Sequence, residues 1–173
     1  MIEIQIAGAG AGKTFGLADK ITNHINNYKG HKKIFVLTYT NSATTKIQQE
    51  IIKKIRNIPS ILHIQTVHSF LLNEIVYPYS SYILDDVYNN ISIMKISTSR
   101  FKNLIFKELK KNKIIHADNV YRISKKIIDK KNHTKLKKEK IRKIISILSD
   151  CFEKIYIDEV QDLNMDALSF LKF

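Results

Sequence analysis

Eight residues, Ala7-Gly8-Ala9-Gly10-Ala11-Gly12-Lys13-Thr14, constrain this chain more than any other feature. Glycines let the backbone curl so that successive N–H groups turn toward phosphate oxygens. The preceding Ile2-Glu3-Ile4-Gln5-Ile6 alternates apolar and polar residues, the signal of a short strand. The following stretch, from about Lys13 to Asn27, reads as a helix whose N-terminal dipole adds positive potential to the loop. Strand, glycine loop and helix together make a phosphate cradle from Ala7, Gly8, Ala9, Gly10, Ala11, Gly12, Lys13 and Thr14. In such a cradle the lysine reaches the β- and γ-phosphates and the threonine hydroxyl binds Mg²⁺. The alternative is a flexible glycine turn beside an ordinary surface lysine.

The next elements continue the alternation. Lys33-Ile34-Phe35-Val36-Leu37-Thr38 is a continuous apolar run of strand length, and Asn41 is placed to cap the helix after it. In that helix Ala43, Ile47, Ile51 and Ile55 recur every four residues as one apolar stripe, and Pro59 lies beyond its end. Ile61-Leu62-His63-Ile64-Gln65-Thr66 is a third strand. Strands alternating with helices predict an α/β fold around a parallel sheet. Further on, Phe101, Leu104, Ile105 and Leu109 fit a helical stripe. Val120, Ile123, Ile127 and Ile128 fit a second, and Ile141, Ile144, Ile145 and Leu148 a third, with 130–140 as the least apolar connector. Phe152-Glu153-Lys154-Ile155-Tyr156-Ile157 returns to strand character and ends in Asp158-Glu159. A carboxylate at the C-terminal end of a buried strand suits a nucleotide-binding sheet. There Asp158 would hold Mg²⁺, directly or through water, and Glu159 would orient and deprotonate an attacking water. The same acids would equally cap a helix holding Met165 and Leu168.

Composition narrows the class. Hydrophobic residues make up 44% of the 173, which excludes wholesale disorder. No apolar stretch approaches the roughly 18 residues of a membrane span. The single cysteine, Cys151, forbids a disulfide framework, and the N-terminus lacks a basic leader, so a cytoplasmic protein is expected. Of the +13 net charge, Lys95–Lys143 holds +14, with 18 basic and four acidic residues, so the rest of the chain is close to neutral. A basic module on a neutral body points to a polyanionic partner, nucleic acid first. The competing account is a solvated lysine-rich surface.

Taken together, the motifs resemble superfamily-one helicases of the UvrD/Rep type. Their phosphate loop often opens with alanine, as at Ala7, and their acidic element Asp-Glu-x-Gln-Asp is matched by Asp158, Glu159, Gln161 and Asp162. Thr38-Tyr39-Thr40-Asn41-Ser42-Ala43 is similar to the family's Thr-Phe-Thr-Asn-x-Ala element, and Thr66-Val67-His68-Ser69-Phe70 to its Thr-x-His-Ser-Phe element. The resemblance implies a P-loop (RecA-like) parallel sheet flanked by helices, incomplete in this chain, with a basic α-helical insertion. Residues 1–77 and 151–173 would form the motor core and 78–150 the insertion. It implies an ATP-dependent DNA helicase or translocase using ATP and Mg²⁺, with Glu159, Lys13 and Gln161 in catalytic roles and Thr14 and Asp158 on the metal. Tyr39, Thr40, Asn41, Thr66, His68 and Ser69 would face single-stranded or partly duplex DNA. An aromatic such as Tyr39 stacks on any unpaired base. From the residues alone, Tyr39 reads as well as an aromatic closing the sheet, and the threonines, histidine and serine as capping and turn groups.

The family's upstream glutamine element and its second motor domain, with the arginines that complete the ATP site, have no counterpart here. The chain is therefore expected to be the N-terminal portion of a longer protein, weak or inactive alone. The alternative function is an NTP-binding regulatory or antiphage-defence module that switches a partner such as a nuclease.

Overall fold

The computed structural model describes residues 13–96, 101–129 and 133–158. The expected strand at 2–6, the glycine loop up to Gly12, Glu159 and Gln161 lie outside these residues. The chain divides into two compact units. Among the described residues, one comprises 13–67 and 148–158 and the other 68–96, 101–129 and 133–147. Residues 68–77 group with the second.

The first unit is a parallel sheet with helices packed on it. Helix α1 (Lys13–Asn27) leads to strand β1 (Lys33–Thr38), helix α2 (Asn41–Ile55) and strand β2 (Leu62–Thr66). Strand β5 (Phe152–Ile157) returns from far along the chain and pairs with the other edge of β1, giving the order β2-β1-β5. Both pairings are parallel, as expected for βαβ connectivity. Ile34 and Val36 of β1 pack with Ala18 and Ile21 of α1 and with Ile47 and Ile51 of α2, so both helices cover one face. The four-residue stripe of α2 buries its middle pair, Ile47 and Ile51, each worth about 1.5–3 kcal/mol on burial. Above that core, Lys54 of α2 pairs with Asp19 of α1 at 2.6 Å and lies over the Phe15 ring at 3.7 Å. On the opposite face of β1, Phe35 lies between the rings of His63 and Phe152. The α2 cap is Thr40, not the expected Asn41. Thr40 has extended backbone and its Oγ1 accepts the Ala43 N–H, while Asn41 is the first helical residue.

The second unit is mainly helical. Short α3 (Val67–Phe70) runs through a π-helical segment, Leu71–Val76, into α4 (Tyr77–Leu84). The widened turn has a local cause. Pro78 has no N–H to donate and its ring would crowd the preceding turn of a regular helix. The Tyr77 N–H instead reaches back five residues to Leu72 O. Helix α6 (Val120–Ile128) buries Val120, Ile123, Ile127 and Ile128, the expected stripe, and packs on the π segment and α4. Strands β3 (Asn90–Ser92) and β4 (Ile114–His116) form a two-stranded parallel sheet that no periodicity announced. Helix α5 (Lys102–Lys111) packs on β4 through Phe106, which meets the His116 ring at 5.2 Å. That choice of face leaves Phe101 and Leu104 of the expected stripe exposed. Helix α7 (Lys135–Cys151) begins inside the expected connector, with Thr134 Oγ1 accepting the Lys137 N–H, because lysine, glutamate and leucine are good helix formers. Ile141 and Ile144 are its buried residues.

Two buried serines in this unit differ in one respect. Ser124 Oγ donates to Val120 O at 2.8 Å, whereas Ser80 Oγ is buried with no hydrogen-bond partner among the described residues. An unpaired hydroxyl bears its desolvation cost with no return. Both serines sit in helices, so the propensity gain on changing either to alanine cancels in a comparison. Ser80→Ala is therefore expected to be more stable than Ser124→Ala by about 1 kcal/mol, the net worth of one hydrogen bond. Thermal and urea unfolding of the two variants checks this, and the reverse order contradicts it.

Candidate nucleotide and nucleic-acid interface

The C-terminal edge of the three-stranded sheet gathers several of the expected residues. Thr38 of β1 is in register with Thr66 of β2, and Leu37 with Ile157 of β5, so the three strands finish side by side. Asp158 follows at the end of β5, and its N–H donates to Leu37 O at 2.9 Å. Its carboxylate therefore begins where the sheet hydrogen bonding ends, half-buried at the strand tip. In parallel α/β sheets this edge, outside the carboxyl ends of the strands, is where ligands bind.

The turn between β1 and α2 leaves the same edge. Tyr39 is 53% exposed, so the ring that could have closed the sheet is instead free to meet a ligand. Thr40 uses an oxygen lone pair on the Ala43 N–H, a bond that leaves its own hydroxyl hydrogen to give elsewhere. Asn41 is exposed on the first turn of α2, which carries no acidic residue. Below Tyr39, Thr38 Oγ1 reaches both Thr40 O, at 3.0 Å, and Thr44 Oγ1, at 2.7 Å. Thr38 opens the Thr-Tyr-Thr-Asn segment, but nothing in the sequence announces its pairing with Thr44. They lie six residues apart across a strand–helix boundary, and threonine is ordinary in both settings.

Helix α1 begins at Lys13, followed by Thr14, and its first turn also carries no acid. An anion at its N-terminus meets the helix dipole without competition from a carboxylate of that turn. Among the described residues no group of three or more His, Cys, Asp or Glu could hold a metal by itself.

His68 and Ser69 fall in the helical unit. His68 Nε2 hydrogen-bonds Ala117 O at 3.2 Å and its ring meets Tyr121 edge-on, so the imidazole is engaged within that unit. The basic segment of the same unit is partly neutralised by local pairs. Lys102 donates to Asp118 at 2.8 Å, Lys110 to Asp86 at 2.7 Å, and Lys111 to Glu108 at 2.9 Å. The Asp86 hydrogen bond pushes the Lys110 ammonium above its ordinary range, and burial raises the neighbouring Tyr88 phenol. The exposed Lys135, Lys138 and Lys143 of α7 lie in its N-terminal half.

Residues 4–152, most of the chain, match the family model of the UvrD/REP helicase N-terminal domain. The search of curated proteins found no match. Among the described residues no helix is long and apolar enough to cross a membrane.

The Lys102–Asp118 pair has a pH signature with a definite sign. The Lys102 hydrogen bond holds the Asp118 carboxyl below its ordinary 3.8. A depressed carboxylate stabilises the fold above that value and loses the contribution as pH falls through the lower, folded one. With both side chains about half exposed, the contribution is a few tenths of a kcal/mol. The shift itself is the better readout. In a carboxyl NMR titration, Asp118 is expected to titrate below 3.8 in the wild type and to move upward in Lys102→Met. An unmoved midpoint contradicts the pairing.

Proposed function

Because the chain belongs to the UvrD/REP helicase N-terminal domain family, we propose that it is the ATP- and single-stranded-DNA-binding portion of an ATP-dependent DNA helicase or translocase. The observation that carries this reading is the placement of Asp158 and Tyr39 on one sheet edge, one at the tip of β5 and the other just past β1.

The described residues suit the nucleotide. A hard, octahedral cation such as Mg²⁺ is held by one or two carboxylates together with phosphate oxygens and water, not by a cage of protein ligands. Asp158 is a carboxylate at the strand end, and the unit offers no rival cluster among the described residues. Thr14 would add its hydroxyl to the metal. Lys13, at the start of α1, would neutralise phosphate charge, and Ala7 through Gly12 would supply backbone N–H donors. When bound, the metal neutralises charge that develops on the transferred phosphoryl oxygens. Glu159 would orient the attacking water and take its proton, and Gln161 would sense the nucleotide.

On the nucleic-acid side, Tyr39 would stack on an unpaired base, which is sequence-tolerant and worth about 1–3 kcal/mol. Thr40, Asn41, Thr66 and Ser69 would donate to sugar and phosphate oxygens, contacts that position the strand without reading it. His68, with Nε2 on Ala117, would contribute from its remaining ring edge. Residues 1–77 and 151–173 would be the motor core and 78–150 the insertion, whose basic α7 adds sequence-independent affinity.

Two measurements test this reading. Lys13→Ala is expected to weaken binding of a fluorescent ATP analogue with Mg²⁺ by roughly tenfold or more, the scale of one charge-assisted bond to phosphate. Equal affinity in both proteins overturns the nucleotide site. Reversing Lys135, Lys138 and Lys143 to Glu is expected to weaken DNA binding and flatten log K against log salt, by about 0.9 for each phosphate no longer neutralised. Nucleotide affinity should not change. An unchanged slope makes these lysines a solvated surface.

A further inference from the structure

Tyr39 is held from both sides. Before it, Thr38 ends β1 in register with Thr66 and is fully buried, so its hydroxyl must find a partner within the protein. After it, Thr40 caps α2 and its carbonyl accepts the Thr44 N–H at 3.1 Å. Across this turn, Thr38 Oγ1 lies 3.0 Å from Thr40 O and 2.7 Å from Thr44 Oγ1, and Thr44 Oγ1 lies 3.1 Å from Thr40 O. Two hydroxyl hydrogens serve three close contacts. Either Thr38 donates to Thr40 O and Thr44 to Thr38, or Thr44 donates to Thr40 O and Thr38 to Thr44. Each arrangement makes two of the three contacts hydrogen bonds, so both threonines stay tied to the turn whichever way the protons run. Tyr39 lies inside this bonded turn in sequence, and its own side chain remains exposed.

We propose that Thr38 and Thr44 are positioning residues, a hydroxyl latch that fixes the Tyr39 turn so that the ring is preorganised to stack on single-stranded DNA. The proposal rests on the DNA reading of Tyr39 given above. A long exposed aromatic on a free turn would have to be ordered when the strand binds, and that ordering subtracts from affinity. The latch settles the backbone part of that cost during folding. Thr45 provides the internal contrast. Its hydroxyl donates to Asn41 O at 3.1 Å on the exposed side of the same helix turn, apart from the Thr38–Thr40–Thr44 contacts.

The chain contains no tryptophan, so Tyr39→Trp installs a single fluorophore at the turn. In this background the time-resolved anisotropy of residue 39 reports turn mobility with no DNA present. Affinity for a labelled oligothymidylate is read in the Tyr39 protein. Thr44→Val keeps the shape and removes the hydroxyl. It is expected to weaken oligothymidylate binding about two- to tenfold, the equivalent of one hydrogen bond, and to release fast local motion at position 39. Thr44→Ser, which keeps the hydroxyl, should restore both readouts, and Thr45→Val should change neither. If Thr44→Val does not fold, Thr44→Ala, favourable in a helix, carries the same test. Wild-type affinity and wild-type anisotropy in the hydroxyl-less variant overturn the latch. Tyr39→Ala separates the two ideas. If it leaves oligothymidylate binding unchanged, the DNA reading of Tyr39 fails, and the anisotropy alone decides whether the threonines hold the turn.

Discussion

Strand β1 has a neighbour on each edge and buried side chains on both faces, and the rest of the sheet unit is arranged around that fact. Five consecutive residues, Ile34 to Thr38, are buried. Alternate side chains of a strand point to opposite faces, so such a run has to be apolar or hydrogen-bonded within the protein, and polar groups that face solvent are excluded from its length. Function can only begin where the strand stops. The polar group at the end of the run, the Thr38 hydroxyl, is hydrogen-bonded within the protein, and the next residue, Tyr39, is the first to reach solvent. The same constraint acts through the backbone. Leu37 O, still inside the sheet, takes the Asp158 N–H, which holds the β5 tip level with the end of β1. Burial of one strand thus sets the position of both the Asp158 carboxylate and the exposed aromatic.

Much of this is legible in the sequence alone. The bounds of α1, β1 and β5 follow from where apolar periodicity starts and stops, and the parallel order follows from strands separated by helices. Legibility fails where two residues satisfy the same local rule. Thr40 and Asn41 are both good caps, and only the extended backbone at Thr40 decides between them. On α5 the face carrying Phe101, Leu104, Ile105 and Leu109 is periodic, while the face carrying Phe106 also holds Lys102, Asn103 and Lys110. Contact with His116 selects the second, and β4 is not visible in the pattern because three residues are too few to show alternation. Pro78 is readable as a helix disturbance, but the remedy, a five-residue hydrogen bond from Tyr77, depends on packing that holds the helix together on both sides.

The candidate site divides along the same line. Residue types that carry charge and sit at strand or helix ends, such as Lys13 and Asp158, announce themselves by spacing. Residues that act by holding others do not. Thr44 lies in no motif, and its hydroxyl meets that of Thr38 only once a strand end and a first helical turn have been brought to hydrogen-bond distance. His68 shows the converse. Its motif position suggests an exposed polar contact, while the fold gives its Nε2 to the carbonyl of Ala117, 49 residues away in sequence.

The helical unit raises a different question, since charge there works against the fold. Its basic residues outnumber its acids so heavily that pairs such as Lys102–Asp118 and Lys110–Asp86 can quiet only a minority of them. Helix α7 goes further, opening with Lys135, Lys137 and Lys138 and no acid in its first turn. Cations at a helix N-terminus oppose the dipole, at about 0.3–1 kcal/mol each when exposed and unscreened. Good helix propensity and the burial of Ile141 and Ile144 offset that cost but give no reason for it. A polyanion lying along the first turns of α7 would reverse the sign of the interaction, because each phosphate would meet both a lysine and the positive end of the dipole. Local charge placed against the preference of its own helix is the pattern expected of a surface shaped by a ligand and not by stability.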